Sequence, residues 1–267
     1  MLYFSFLLGK NPIYKTVADK LFAALRSLRV EYQLIDGTRD IWLRDFMPIE
    51  TRSGRLVSFR YEPSYLADCP DLRTDFRQDI APRFDLPVVY SDINLDGGNI
   101  VFSPSRETAI VSDRVLLENP EVPPDRLQER LEQLLEARVL LIPSLKSDMT
   151  GHADGMVRFV DETSVIGNDF PAKNGLEQRI RHTLERHGLA VLDFPYRSAR
   201  GGNAVGCYLN YLETEHCIFL PVFGIDTDCA AVNTAERLFS KDIVPVGVRE
   251  IAEQGGCLNC ISWEWDI

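Results

Sequence analysis

The chain has 267 residues, of which 45% are hydrophobic and 26% are charged, and this composition excludes disordered, collagen-like and disulfide-framework proteins. Its 29 basic and 40 acidic residues give a net charge of −11, which disfavours nucleic acid as a partner and favours a small cationic molecule. This length is compatible with one closed α/β domain, so we expect a single catalytic domain over residues 1–267.

The sequence offers no candidate for a membrane span, because no apolar run reaches the roughly 18 residues that a transmembrane helix needs. Met1–Leu8 lacks a basic start and a small-residue cleavage site, so we interpret it as a strand and not as a targeting signal. Six cysteines in a chain without an export signal favour reduced thiols. We therefore expect a cytoplasmic protein with no membrane partner. Whether it forms a homo-oligomer stays open.

A helix followed by an apolar strand recurs at a spacing of roughly fifty residues, which is typical of propellers and other repeat folds. Apolar residues recur at three- or four-residue spacing in each helix and form a short continuous run in each strand. The predicted pairs are Val17–Leu28 with Val30–Ile35, Asp71–Ile80 with Leu86–Tyr90, Leu127–Leu134 with Val139–Ile142, Leu176–Leu184 with Leu189–Phe194, and Val232–Leu238 with Ile243–Val248. The sequence therefore predicts five copies of one α/β unit.

A polar or glycine-rich turn follows each predicted strand. The turns begin at Thr38, Asn94, Thr150, Gly201 and Gly255. The first four lead into alternating apolar residues that predict a hairpin, whereas the last is followed by a single short strand. Leu2–Leu8 is predicted to pair with that strand, which would close the five units into a ring with the turns facing a common axis.

The turns carry the side chains that would meet at such an axis: Asp45, Asp96, His152, Asp154, Asn203 or Asn210, and Cys260. His152 and Asp154 are two positions apart, so on an extended segment both side chains point to one face. A thiol attacks as the thiolate, and a neighbouring imidazolium lowers the thiol pKa while remaining available as a general acid. Cys260 and His152 fit these two roles.

Three carboxylates around Cys260 would oppose the negative charge of its thiolate. A cationic substrate removes this opposition, because it neutralises the acids and favours ionised sulfur. A guanidinium fits this requirement: it is planar and always charged, and carboxylates bind it bidentately. Its central carbon stays open to attack from above the plane, whereas an ammonium ion has no such carbon. These residues predict a cysteine enzyme that cleaves a guanidinium group.

Five segments stand out as motifs: DIWLRDFMP at Asp40–Pro48, LDGGN at Leu95–Asn99, GHADGMVRF at Gly151–Phe159, YLNY at Tyr208–Tyr211 and GGCLNCIS at Gly255–Ser262. In this order they resemble D-x-W-x-R-D-x-G-P, L-E-G-G-N, G-H-x-D-x-x-x-R-F, the strand motif S-Y-x-N-F and a glycine-rich turn into C-I-T. Those are motifs of the agmatine deiminase and bacterial-type peptidyl-arginine deiminase branch of the guanidino-modifying enzymes. Asp96 stands at the position of a family glutamate, and Met47 at that of a glycine.

The resemblance implies a five-bladed α/β propeller, in agreement with the five units counted from periodicity. It also implies the catalytic roles. Cys260 would attack the guanidinium carbon, and His152 would protonate the leaving nitrogen and later activate water. Asp96 would hydrogen-bond both the histidine and the substrate.

The same resemblance implies a set of substrate-binding residues. Asp45 and Asp154 would bind the guanidinium through their carboxylates. Trp42, Arg158 and Asn210 are also expected to contribute to substrate binding.

The predicted reaction converts a guanidinium substrate, such as agmatine or free or peptidyl arginine, into a ureido product and ammonia through a covalent thiouronium intermediate. No metal or other cofactor is expected, because the CxxC of Cys257 and Cys260 has no second Cys/His pair at zinc-site spacing. Two alternatives stay open: an amidinotransferase, in which an amine replaces water, and a non-catalytic binding protein on the same propeller fold. The identity of the substrate and the roles of Cys257 and Asn203 also stay open.

Overall fold

The computed structural model describes residues 1–84, 86–146, 148–169, 175–197 and 203–265. Within these ranges the strands form five sheets of three strands each. None of the helices in these ranges combines the length and the apolar character needed to cross a membrane. Gly201 and Gly202 of the fourth predicted turn lie outside the described residues.

The elements are short, and four of the five predicted helices and all five predicted strands are present, with bounds that differ from the prediction by up to five residues. The strands are β1 (Leu2–Ser5), β2 (Tyr32–Ile35), β3 (Ile49–Glu50), β4 (Leu56–Arg60), β5 (Val88–Asn94), β6 (Ile100–Phe102), β7 (Thr108–Ser112), β8 (Arg138–Ile142), β9 (Val157–Phe159), β10 (Ser164–Asp169), β11 (Ala190–Pro195), β12 (Leu212–Glu213), β13 (Cys217–Val222), β14 (Asp242–Gly247) and β15 (Ser262–Glu264). The α-helices are α1 (Leu7–Lys10), α2 (Pro12–Ser27), α3 (Leu43–Phe46), α4 (Arg114–Glu118), α5 (Pro124–Leu135), α6 (Gly175–Arg186), α7 (Asp228–Leu238) and α8 (Arg249–Ala252).

Every sheet repeats one arrangement, in which two antiparallel strands are followed by a third strand parallel to the second. The sheets are β3-β4-β5, β6-β7-β8, β9-β10-β11, β12-β13-β14 and β15-β1-β2. A parallel pair needs a crossover connection, and in four of the sheets this connection contains an α-helix. The fold is therefore the predicted fivefold repeat of an α/β unit.

The last sheet combines both ends of the chain. Strand β1 lies between β15, to which it is antiparallel, and β2, to which it is parallel. The predicted pairing of the N-terminal strand with the C-terminal one is thus present. However, β1 ends at Ser5 and does not extend to Leu8, because the Ser5 hydroxyl accepts a hydrogen bond from the Leu7 N–H at 3.1 Å and the chain turns into α1.

The second unit differs from the prediction, because the expected helix over Asp71–Ile80 is not an α-helix. Pro70–Leu72 and Ala81–Arg83 form single 3-10 turns, and Phe76–Ile80 forms one π-helical turn. Arg73 and Asp75 have extended backbones, and the Asp75 carboxylate accepts a hydrogen bond from the Gln78 N–H, so the chain is interrupted here and a new turn begins at Phe76. Phe76 and Ile80 are nevertheless buried, which is why the apolar spacing resembled a helix.

Helix α5 shows how the predicted helices cover their sheets. Leu127, Leu131 and Leu135 recur every four residues and are fully buried against the core of the β6-β7-β8 sheet. Pro124 occupies the first helical position, where its missing N–H costs nothing.

Replacement of Leu131 by alanine should lower the free energy of unfolding by about 2–5 kcal/mol, because it leaves a cavity in a core that cannot fully collapse. Urea denaturation measures this change. Gln133→Ala, at an exposed position on the same helix, is the matched control and should change stability by no more than about 0.5 kcal/mol. An equal effect of the two substitutions would contradict the packing described here.

Candidate active site

The turns that follow the repeated strands meet around one cavity of about 520 Å³. Trp42 and Asp45 come from the first turn, His152 and Asp154 from the third, and Cys260 from the last. Asp45, His152, Asp154 and Cys260 are all almost fully shielded from bulk solvent. The fold thus brings together residues that are far apart in the chain, as the repeat predicted.

His152 lies between two carboxylates. Its Nε2 is 2.8 Å from Oδ2 of Asp96, and its Nδ1 is 3.7 Å from Oδ1 of Asp45. Asp45 Oδ1 also accepts a hydrogen bond from the Gly98 N–H at 3.1 Å. A Cβ atom at Gly98 would come within 2.7 Å of both Asp45 Oδ1 and His152 Nδ1, so only glycine allows these two side chains to approach so closely.

Asp154 connects the third turn to the nucleophile turn. Its Oδ2 accepts hydrogen bonds from the side-chain amides of Asn210, at 2.8 Å, and Asn259, at 2.7 Å. The Cys260 Sγ lies 3.8 Å from the same oxygen. The two asparagines therefore fix one oxygen of Asp154 beside the thiol.

Asn210 also holds the backbone of the nucleophile turn. Its Oδ1 accepts hydrogen bonds from the N–H groups of Cys257, at 3.2 Å, and Cys260, at 3.3 Å. The YLNY segment that contains Asn210 is a turn, and β12 begins only at Leu212, so the predicted strand is wrong. The irregular backbone is what lets the amide of Asn210 bond to two different segments at once.

The charges in the cavity change the proton affinity of the residues that line it. Burial by itself lowers the pKa of His152, but the neighbouring carboxylates outweigh it and raise that pKa from 6.5 to about 10. Burial raises the pKa of Asp45 from 3.8 to about 7, although the His152 charge opposes this. Burial also holds the pKa of Cys260 well above its usual value, and the charges of Asp154 and Asp45 raise it further. These two effects favour the neutral thiol of Cys260 over its thiolate.

Arg44 lies behind the nucleophile. Its backbone N–H donates to the Cys260 carbonyl at 3.1 Å, and its Nε donates to the Asn259 carbonyl at 3.4 Å. Burial lowers the pKa of this guanidinium, and the nearby Arg158 acts in the same direction. Arg44 therefore ties the RD segment of the first turn to the nucleophile turn.

The remaining predicted residues divide into those that face the cavity and one that does not. Trp42 lines the cavity, and Gly256 permits this, because a Cβ there would lie 2.5 Å from the indole ring. Asn203 lines it as well. Arg158 does not: its guanidinium lies over the Tyr211 ring, 4.2 Å from the centroid, and its NH1 donates to the Tyr211 carbonyl. The structure therefore does not bring Arg158 to the cavity with the other predicted residues.

The segment around His152 also differs from the expected extended strand. His152 itself has an extended backbone, but Ala153–Gly155 forms a 3-10 turn. Both His152 and Asp154 still face the cavity, because the turn rotates the second side chain back towards it.

Several residues of the site were not found from the sequence. Of these residues, only Asn259 could have been identified from the sequence, because it is next to Cys260 and its side-chain amide can donate a hydrogen bond to a carboxylate. Tyr61 and Tyr65 line the cavity from the connection between β4 and β5, where no motif pointed to them. Asp40 and Cys207 also line it. Across the described residues, no group of three or more His, Cys, Asp or Glu side chains is arranged to hold a metal ion.

The fold is shared with solved structures. A provisionally named arginine deiminase from Porphyromonas gingivalis superimposes with a TM-score of 0.78 at 16% identity, covering 99% of this chain and 94% of that one. The agmatine deiminase of C. jejuni superimposes with a TM-score of 0.77 at 18% identity, covering 98% of this chain and 92% of that one. The fold therefore places this chain in the class of α/β proteins with five repeated small sheets.

Sequence comparison gives the family. The profile of the Porphyromonas-type peptidyl-arginine deiminases matches residues 8–265, and the chain belongs to this family. A provisionally named agmatine deiminase from Shewanella sp. (strain W3-18-1) is 25% identical over 217 residues, which is 67% of this chain. The chain spans 57% of the length of that relative.

The raised pKa of Asp45 predicts the stability of an Asp45→Asn variant. Because the folded-state pKa of about 7 lies above the ordinary 3.8, ionisation of Asp45 destabilises the fold as pH rises through this interval. Asp45→Asn should therefore melt at a higher temperature than the parent at about pH 8, and the difference should vanish near pH 4. Calorimetry across this range measures it.

Asp161→Asn is the control, because the pKa of Asp161 is shifted in the opposite direction to that of Asp45. Hydrogen bonds from Thr163 lower the pKa of this exposed carboxyl. A group of this kind stabilises the fold above its unfolded pKa, so Asp161→Asn should not gain stability at about pH 8. An Asp45→Asn variant that melts below the parent throughout the range would contradict the account of the cavity.

Proposed function

We propose that this protein is a cysteine-dependent hydrolase that converts a guanidinium substrate into a ureido product and ammonia. The observation that carries the proposal is the convergence of Cys260, His152, Asp45 and Asp154 on one buried cavity. The family and the fold agree with it.

The carboxylates of the cavity leave oxygens available for a ligand. Within the described residues, Asp45 Oδ2, Asp96 Oδ1 and Asp154 Oδ1 accept no hydrogen bond, whereas the other oxygen of each is occupied. A guanidinium has five N–H donors in one plane and pairs with carboxylates bidentately. Asp45 and Asp154 would hold its edges, with its central carbon towards Cys260.

The bound cation would also activate the nucleophile. In the empty cavity, burial and the carboxylate charges raise the pKa of Cys260 well above its usual value. A guanidinium bound between the acids neutralises them, so the thiolate becomes accessible at neutral pH. The thiolate of Cys260 would thus form only when the guanidinium substrate is bound.

The reaction would proceed in two steps. The thiolate of Cys260 forms a bond to the guanidinium carbon, and the C–N bond breaks as His152 gives a proton to the nitrogen, which leaves as ammonia. His152 then takes a proton from water, whose oxygen attacks the thiouronium carbon. The C–S bond breaks, the proton of the added hydroxyl passes to solvent water, and the neutral ureido product leaves with the thiolate restored. His152 suits both roles because its raised pKa keeps it protonated until the first step.

The rest of the cavity lining favours a substrate without a carboxylate. The described part of the lining contains the half-buried Asp40 and Asp148, in addition to the acids beside Cys260, and no lysine or arginine. A free amino acid would bring a carboxylate with no cationic partner, which costs binding free energy. An amine-terminated guanidine such as agmatine suits Asp40 and Asp148, and we propose it as the preferred substrate.

A panel of agmatine, free arginine and an arginine peptide, scored for ammonia and ureido product, tests this function. Agmatine should be turned over, and kcat/KM for free arginine should be at least about 10-fold lower, because its carboxylate is unpaired. Cys260→Ala should abolish turnover. Cys229→Ala, which removes an exposed thiol of α7, is the matched control and should retain it.

Absence of ammonia from every compound would exclude the proposed hydrolase. A guanidino product that forms only when glycine or ornithine is added, without ammonia, would instead identify an amidinotransferase.

The raised pKa of Cys260 gives a separate prediction about the resting protein. Its thiolate, seen as the difference in ultraviolet absorbance between the parent and Cys260→Ser, should be absent at neutral pH and appear only in strongly alkaline solution. Dilute guanidinium chloride should shift this ionisation to lower pH, because the cation neutralises the acids. A full thiolate signal at neutral pH in the empty protein would contradict substrate-assisted ionisation.

A further inference from the structure

Tyr65 contacts the catalytic cluster from outside the repeated turns. It belongs to the short 3-10 turn Ser64–Leu66, which lies between β4 and β5. Its hydroxyl is 3.0 Å from Oδ2 of Asp96, and that same oxygen lies 2.8 Å from Nε2 of His152. The Tyr65 ring also meets the His152 ring edge to face, with centroids 6.3 Å apart.

The chemistry of these groups fixes the direction of both hydrogen bonds. An ionised carboxylate only accepts, so Tyr65 donates its O–H and His152 donates its Nε2–H. Oδ2 of Asp96 is therefore occupied by two donors. Oδ1 accepts no hydrogen bond from any described residue, which leaves it available to a substrate N–H.

The turn that carries Tyr65 is itself held in place. The Ser64 N–H and hydroxyl both donate to the Glu118 carboxylate, at 3.0 and 2.7 Å. Glu118 also pairs with Arg114 at 2.8 Å. These contacts fix the turn, and the hydrogen bond to Asp96 fixes the Tyr65 hydroxyl.

We propose, on the basis of the proposed hydrolase function, that Tyr65 is a positioning residue for catalysis: its hydroxyl fixes the rotation of the Asp96 carboxylate so that one oxygen orients His152 and the other faces the substrate. Asp96 has a short side chain with one free rotation of its carboxylate, and two donors on Oδ2 hold that rotation. Without Tyr65, His152 would be the one described residue whose side chain still donates to the Asp96 carboxylate. The effect falls on proton transfer, since Asp45 and Asp154 hold the guanidinium independently.

Tyr65→Phe removes the hydroxyl and keeps the ring. It should lower kcat for agmatine by about 10- to 100-fold, because a hydrogen bond to a charged group is lost, and should change KM by no more than about 3-fold. In an Asp96→Asn background the same substitution should cause no further loss of kcat, because Tyr65 acts through Asp96.

Tyr208→Phe is the matched control. It removes another tyrosine hydroxyl that donates to an aspartate, Asp228, at 2.7 Å, but Tyr208 lies away from the cavity lining. It should lower the melting temperature without changing kcat. Melting temperatures of all variants separate a loss of fold from a loss of positioning.

A kcat for Tyr65→Phe within about 2-fold of the parent, or an equal loss in the parent and Asp96→Asn backgrounds, would overturn the proposal. If the parent hydrolyses no guanidine, the proposed function fails, and NMR of the His152 imidazole nitrogens still decides the role of Tyr65. Tyr65→Phe should then shift these signals and Tyr208→Phe should not. Unchanged signals in Tyr65→Phe would likewise overturn it.

Discussion

The central constraint on this site is an excess of buried carboxylates over cationic side chains. Asp45 and Asp154 line the cavity beside the buried thiol of Cys260, and Asp96 lies behind His152, whose imidazole is the only cationic group in the described lining of the cavity. The carboxylates raise the pKa of His152 to about 10 against the effect of burial, whereas burial raises the pKa of Asp45 to about 7 and, together with the charges of Asp154 and Asp45, holds that of Cys260 well above its usual value. A planar cation is the ligand that removes the imbalance.

The fivefold scaffold lowers the free-energy cost of burying these carboxylates, because it places them on separate turns and gives each a hydrogen-bond partner. Asp154 is held by two asparagine amides, Asp96 by His152 and Tyr65, and Asp45 by the Gly98 N–H. Each contact occupies one carboxylate oxygen. The other oxygen of each carboxylate accepts no hydrogen bond from a described residue, so the contacts that stabilise the site also leave acceptors for a cation.

Much of this arrangement could be predicted from the sequence, because repeat spacing and apolar periodicity determine which turns meet. The positions of Asp45, His152, Asp154 and Cys260 in one cavity followed from that alone. The errors have local causes: the extended backbone at Arg73 and Asp75 interrupts the second helix, and the YLNY segment bends so that Asn210 can reach two partners. Arg158 packs on Tyr211 instead of facing the cavity. The contact of Tyr65 with Asp96 could not be predicted from the sequence, because Tyr65 lies in a connection that contains no motif and meets Asp96 only in the folded structure.

The most direct test of the account is a crystal structure of the Cys260→Ser protein with agmatine. The account predicts a guanidinium lying flat between Asp45 Oδ2 and Asp154 Oδ1, with its central carbon facing residue 260 and the amine end towards Asp40 and Asp148. A guanidinium bound with its carbon turned away from residue 260, or agmatine bound outside this cavity, would contradict it.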